Sequence, residues 1–316
     1  MDPADIKSAH LNRKQNYNKV TEYHSQYVNP KTGSFFVHLL EKRKCPVCNS
    51  PRKTKIFNKS GGVYVKCDSC NMIYLDPVFK DSALTKYYKA LNTGQGEIVA
   101  NESEFYTKIY TLGLERIKGF KNSGDVLDIG CSTGFFLDIM RKNGWNTTGV
   151  ELGVTEARIC QEKGHKVYTK GIENVKFNKK FDVVTLWDVF EHIKEPIKYL
   201  KTISRILKRS GIIFIQTPNS QSAAARIMHE KCNVFDGVEH VSLYSPETLV
   251  LVAQKANFKT KNMATVISEI SVLNNHLSYE SPYFGSFNKD CLFGLIDEQV
   301  IHKKLLGYKM QVVLMI

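Results

Sequence analysis

No uninterrupted apolar run in these 316 residues reaches the ~18 needed to cross a bilayer as a helix. The start of the chain lacks a charged-then-apolar leader, so the expectation is a soluble, cytoplasmic protein. Internal repeats and low-complexity segments are also absent, which sets aside solenoids and polar tracts. Acidic residues are scarce, 31 against 44 Lys and Arg, for a formal charge of +13. Residues 1–80 hold 14 Lys and Arg and 6 Asp and Glu. A basic front end of this kind suits nucleic acid, anionic lipid or a phosphorylated substrate, or else is a solvated lysine surface. What is present is apolar: 42% hydrophobic and 11% aromatic residues exclude a structureless chain and allow a full core plus one small module.

The stretch from Gly124 to Leu137 organises the rest. Val126 to Ile129 read as a buried strand, Gly130 and Gly134 bracket a tight turn, and an apolar helix starts at Phe135. A turn of this type brings backbone N–H groups and a helix N-terminus close to a carboxylate or phosphate, so a nucleotide-like ligand is expected. Glu151 follows the next strand, Asn146 to Val150, at the offset from which a carboxylate reaches ribose hydroxyls.

Upstream stand two Cys-x-x-Cys knuckles, Cys45 with Cys48 and Cys67 with Cys70. Four thiolates at this spacing close a tetrahedral site, and Thr54 to Ile56 with Val63 to Lys66 supply a hairpin around Gly61 and Gly62. The pattern reads as a zinc ribbon with a structural ion, because four cysteines leave no open coordination position. Disulfides fit a cytoplasmic setting poorly, and paired knuckles fit a redox motif poorly.

Periodicity then places an amphipathic helix from Glu102 to Phe120 and, beyond the glycine turn, a helix to Asn143 stopping at Gly144. Further helices are read from Thr155 to Lys163, Pro196 to Lys208 and, capped by Ser245, up to Ala256. Strands are read at Lys166 to Tyr168, Phe181 to Leu186, Ile212 to Ile215, Phe258 to Val266 and Leu306 to Leu314, the last reversed. The apolar end from Val312 to Ile316 is therefore core and too short to be a membrane anchor. The layout expected is an irregular basic arm over 1–40, carrying Tyr17, Tyr23 and Tyr27, the zinc ribbon over 41–80, and a linker with cofactor-covering helices over 81–120. The main domain covers 121–316, with an insertion at about 267–305 that matches nothing recognisable.

Asp128-x-Gly130-x-x-x-Gly134 resembles the first motif of class I S-adenosylmethionine (SAM)-dependent methyltransferases rather than the Gly-x-Gly-x-x-Gly dinucleotide fingerprint. The resemblance covers about residues 120–265 and implies an α/β fold with a Rossmann-like sheet of seven strands beside the small zinc-ribbon module. It implies that Asp128, Gly130, Ser132 and Gly134 hold the methionine end of SAM and Glu151 the ribose. By the same likeness Leu152, Ile172, Trp187 and Asp188 line the cofactor, Glu173 being only an approximate match to the acidic residue often found near the adenine. Tyr106 and Tyr110 are either cofactor-covering or core aromatics.

Trp187-Asp188-Val189-Phe190-Glu191-His192 closely resembles the Phe-Glu-His segment of methyltransferases of the ubiquinone-pathway and lipopolysaccharide-sugar group, which also ends a strand as Thr217-Pro218-Asn219 does here. His192 and His240 are the candidate bases for deprotonating a hydroxyl acceptor, with Glu191 and Glu239 as orienting partners. Either histidine can equally be a satisfied structural residue. The leading expectation is methyl transfer to a small molecule, a sugar or sugar-nucleotide hydroxyl. Sugar C-methyltransferases share a ribbon but carry a Tyr-x-Glu-His segment, and here Gly237 stands in the tyrosine's place. Two alternatives are an RNA methyltransferase, with Lys42, Arg43, Lys44, Arg52, Lys53 and Lys55 on phosphates, and a non-catalytic zinc-ribbon interaction protein. Against RNA stands the lack of an aromatic-and-glycine RNA module and of an Asn-Pro-Pro-Tyr-like motif.

Overall fold

The computed structural model describes residues 22–91, 103–277 and 297–316. The first half of the basic arm with Tyr17, the linker residues 92–102 and most of the insertion, 278–296, lie outside the described residues. The chain forms two units. One takes Met1–Thr93, Pro218–Thr248 and Ala264–Met310, the other Gly94–Thr217, Leu249–Met263 and Gln311–Ile316.

In the first unit a hairpin is formed by β1 (Lys53–Lys59) and β2 (Gly62–Cys67), with β3 (Ile73–Leu75) antiparallel to β2. The short strand Ser242–Leu243 then pairs with β3, placing Ser242 opposite Tyr74 and Leu243 opposite Ile73. A ribbon of three local strands is thereby completed by residues from the far side of the chain. The reason is apolar: Tyr64 and Leu75 of the ribbon share one core with Met228, Val234, Phe235, Val241 and Leu243. Burying side chains of this size contributes about 1.5–3 kcal/mol each, more than three short strands gain by themselves. The described part of the arm makes its own short pairings, Val28–Asn29 with Ser34–Phe35 and Leu40–Glu41 with Val78–Phe79. Its Tyr23 and Tyr27 pack on a second core of Phe35, Phe79, Tyr87 and Val238.

The other unit opens with helix α1 (Ser103–Lys118), and then alternates β4 (Gly124–Ile129), α2 (Phe135–Lys142), β5 (Trp145–Val150), α3 (Val154–Glu162) and β6 (Lys166–Tyr168). β7 (Phe181–Trp187), α4 (Pro196–Ile206), β8 (Leu207–Pro218), α5 (Pro246–Lys255), β9 (Lys259–Val266) and β10 (Lys309–Met315) follow, several of them reaching the unit boundary. The seven strands stand in the order β6-β5-β4-β7-β8-β10-β9. Four neighbouring pairs, from β6 through to β8, are parallel. Strands sandwiched on both faces read as continuous apolar runs, and Val183, Val184, Leu186 and Ile212 to Ile215 are fully buried. Of the apolar C-terminal run expected to be core, Val312, Val313 and Leu314 in β10 are fully buried, whereas Ile316 is 53% exposed.

Helix α4 ends at Ile206, two residues short of the expectation, because Leu207 turns extended and pairs with Phe181. Pro196 opens that helix at its first turn, where its missing N–H costs nothing. Strand order reverses between β4 and β7, so their carboxyl ends form the switch point at which open α/β sheets place ligands.

Candidate active site

β4 delivers Asp128 to the switch point, 2% exposed, where Thr185 of β7 donates to its Oδ1 over 2.7 Å. Burial pushes this carboxyl up to about 7; the Thr185 hydrogen bond pulls it down and the nearby Glu151 charge raises it. The chain then turns sharply, with φ of +75° at Gly130, +47° at Ser132 and +80° at Gly134. Glycine is required at 130 and 134 for a second reason. A Cβ would lie 2.5 Å from Val189 Cγ2 in the first case and 2.5 Å from Cys160 Sγ in the second.

The turn's amides are partly consumed within the protein. Gly130 and Cys131 donate to the Val150 carbonyl over 2.8 and 3.1 Å, and Gly134 donates to Cys131. Ser132 N–H donates to Glu151 Oε2 over 2.9 Å, and Gly153 N–H to Glu151 Oε1 over 2.7 Å. The carboxylate anticipated at the end of the second strand is therefore brought onto the glycine turn and held in register with it. Burial raises its pKa, and the two backbone donors oppose that shift. Beyond it Leu152 is 67% exposed, whereas Ile172 is buried in the single turn Ile172–Asn174.

Trp187 ends β7 inside an aromatic cluster, its ring 4.6 Å from Tyr110, 4.8 Å from Phe136 and 4.7 Å from Phe214 between centroids. Among the described residues its Nε1 is buried without a hydrogen-bond partner, as is the Ser132 hydroxyl. Orphaned donors of this kind at a switch point are what a polar ligand would satisfy, and the donor set fits SAM. Tyr110 is core to this cluster, and burial holds its phenol well above the ordinary value.

Asp188 takes φ of +53° and accepts from Gln216 Nε2 over 3.1 Å. Gln216 accepts in turn from Gln311, and Gln311 from Arg116 of α1, each over 3.0 Å. Sequence reading missed this chain of amides. Its signal is a lone glutamine beside each of two fully apolar strand runs, Ile212 to Ile215 and Val312 to Leu314. Glu191 is wholly buried in the turn Phe190–His192 and accepts from Thr217 over 3.0 Å, while His192 is half-buried.

In the first unit the Sγ atoms of Cys45 and Cys70 lie 3.5 Å apart and those of Cys48 and Cys67 3.4 Å apart. All four lie within 4.8 Å of one another. A tetrahedral ion with bonds of about 2.3 Å needs sulfurs about 3.8 Å apart, so the four residues fit zinc. Both knuckles close on an asparagine, Asn49 at φ +59° and Asn71 at +61°, whose N–H returns to the first cysteine's carbonyl.

Glu239 and His240 sit on a loop gripped by Asp236, which sequence reading also missed. The Asp236 carboxylate accepts the backbone N–H groups of Val238, Glu239 and His240 over 2.9–3.2 Å. His240 Nδ1 lies 2.8 Å from the Val234 carbonyl, which can only accept, so Nδ1 carries the proton and Nε2 the lone pair of the neutral ring. Burial pushes the Glu239 carboxyl up to about 7, with the Asp236 charge raising it further and His240 lowering it.

A doubly wound sheet with a glycine turn and a carboxylate clamp at its switch point defines a Rossmann-like methyltransferase fold. The family model described as a methyltransferase domain matches residues 103–261, half of the chain. The chain belongs to the class I SAM-dependent methyltransferases. A ubiquinone biosynthesis O-methyltransferase of Pseudomonas aeruginosa is 33% identical over 107 residues, 31% of this chain and 46% of that protein. Its counterpart in Nitrosospira multiformis is 31% identical over 103 residues, covering 30% and 43%. The matches thus span about half the length of these curated relatives. Among solved structures, the complex between the Haloferax volcanii Trm112 methyltransferase activator and a methyltransferase aligns at 12% identity with a TM-score of 0.51, covering 72% of this chain and 96% of that one. This likeness concerns the fold. Among the described residues no helix is long and apolar enough to cross a membrane.

Proposed function

We propose that this chain transfers a methyl group from SAM to a hydroxyl oxygen of a small molecule. The observation that carries the reading is the clamp of Glu151 on the Ser132 amide beside the buried Asp128, at the switch point of the sheet. When bound, SAM supplies an electrophilic methyl group. Asp128, Gly130, Ser132 and Gly134 would hold its methionine end, Glu151 the ribose, and Leu152, Ile172, Trp187 and Asp188 the remaining surface.

The chain's own work is to orient that cofactor, exclude water and take one proton from the acceptor. His192 and His240 are proposed as acceptor-side bases. Glu239 is proposed as a partner to His240, since a carboxyl near neutrality can exchange a proton at working pH. The Phe190-Glu191-His192 and Glu239-His240 pattern together with the zinc ribbon supports a sugar-like hydroxyl; the names of the curated relatives support a quinone-like phenol. Both are hydroxyl acceptors, and one assay separates them. Zinc-loaded protein with methyl-labelled SAM is offered nucleotide sugars and catechol-type phenols in parallel. Label recovered as a base-stable methyl ether in one class identifies the acceptor, and no transfer to either while SAM binds would overturn the hydroxyl reading.

A further inference from the structure

A buried phenol of the zinc ribbon reaches the Glu239-His240 loop. Tyr64 of β2 is fully buried, three residues before the ligand Cys67, in an edge-to-face cluster with Phe57 and Phe235. Its hydroxyl shares its proton between the His240 carbonyl at 3.2 Å and Asp236 Oδ1 at 3.4 Å. The same oxygen accepts the Gly237 N–H over 3.2 Å. Both ends of the Gly237 to His240 turn are thus held by one side chain of the metal-binding hairpin. Burial and the Asp236 charge hold the phenol well above its ordinary pKa, so it remains a donor.

Three further contacts close the mount. Leu75 N–H donates to the Val241 carbonyl over 3.1 Å, immediately after His240. Gly237 takes φ +90° with its Cα face packed against the Lys59 carbonyl at the hairpin tip, where a side chain has no room. Val238 is buried in the core that holds Phe35, Phe79 and Tyr87. None of these devices is needed to fold a zinc ribbon, whose knuckles close on their own asparagines.

We propose that Tyr64 and Asp236 are positioning residues for His240, and that the zinc ribbon is the mount which fixes the proton-bearing nitrogen of that imidazole. This rests on the reading of His240 as an acceptor-side base. Asp236 gathers the three amides of the turn, Tyr64 ties the turn to β2, and the Val234 carbonyl receives Nδ1–H only while the turn keeps that shape. Nε2 then holds the lone pair, as a base for a hydroxyl proton requires.

The test uses full-length, zinc-loaded, 15N-labelled protein. Long-range 1H–15N correlation of the histidine rings is recorded above the histidine titration range, with His240 assigned from His240→Gln. Wild type is expected to show His240 as a single Nδ1–H tautomer. Tyr64→Phe, which keeps the ring and its packing, and Asp236→Asn, which keeps the shape, are each expected to lose that lock and show a mixture with Nε2–H. Zinc content and the calorimetric affinity for SAM should stay at the wild-type values. A pure Nδ1–H signal persisting in both variants, or an Nε2–H ring in wild type, overturns the proposal. If Tyr64→Phe loses its zinc or its fold, Asp236→Asn alone decides. Failure of wild type to bind SAM would remove the methyltransferase reading and leave the tautomer comparison standing.

Discussion

Two carboxylates in this molecule do the same thing by opposite routes. Glu151 and Asp236 each accept backbone amides and thereby freeze a loop that bears residues of the proposed site. Glu151 receives the amide of Ser132, 19 residues away, across the ends of two adjacent parallel strands. Asp236 receives amides two to four residues ahead of it, within its own turn. The first clamp depends on the sheet for its geometry and needs nothing else. The second is a self-contained turn whose placement comes from outside, through Tyr64. A local clamp fixes a shape, whereas a clamp between strands fixes a place.

The largest expected effect breaks the first clamp. Glu151→Ala leaves the Ser132 and Gly153 amides without their acceptor and removes the proposed ribose ligand. Hydrogen bonds to a charged group are worth about 1.5–3 kcal/mol, so calorimetry should show SAM affinity falling by about tenfold to a hundredfold. Next is Gly134→Ala, where φ is +80° and the new Cβ would meet Cys160. Unfolding of this unit is expected to lose about 2 kcal/mol. Both tryptophans of the chain, Trp145 and Trp187, lie in this unit, so urea unfolding followed by tryptophan emission reads it selectively.

A smaller effect concerns pH. The Asp128 carboxyl is raised from 3.8 to about 7, so between those values the folded state holds a proton that the unfolded state has lost. Its contribution to stability is complete below the lower value and lost as pH rises through about 7. Asp128→Asn should therefore flatten the decline in melting temperature between mildly acidic and neutral pH. An unchanged slope would show that the titration lies elsewhere. The smallest effect sharpens the contrast between the regions. Treating the protein with a chelator, to strip the zinc proposed for Cys45, Cys48, Cys67 and Cys70, should leave SAM affinity within about twofold, because local unfolding of one unit need not reach the other. A loss as large as that of Glu151→Ala would mean that the clamps are not independent.

The same contrast explains what could be read from the sequence. The glycine turn, Glu151, the strand sequence around them and the two cysteine knuckles all follow from short spacings or from periodicity, and each was legible. The class of fold followed from them. What was not legible is pairing at a distance. Nothing in Ser242 and Leu243 announces a partner in β3, since a two-residue strand has no period. Tyr64 reads as one more aromatic in a hairpin, and its role appears only when Phe235 and Gly237 arrive beside it. Gln216 and Gln311 likewise gain meaning only once their strands share a sheet. The short pairings within the arm escaped for the reason that Ser242 and Leu243 did. The expected amide cradle at the glycine turn needs a physical amendment as well: four of its N–H groups are spent on Val150, Cys131 and Glu151, so much of the turn's rigidity comes from the protein itself.

The most direct test of the central claim is calorimetric titration of SAM into purified, zinc-analysed wild-type protein. The account predicts saturable binding at one site per chain, weakened by Glu151→Ala. Absence of any saturable heat, from protein that is folded and carries its zinc, would contradict it.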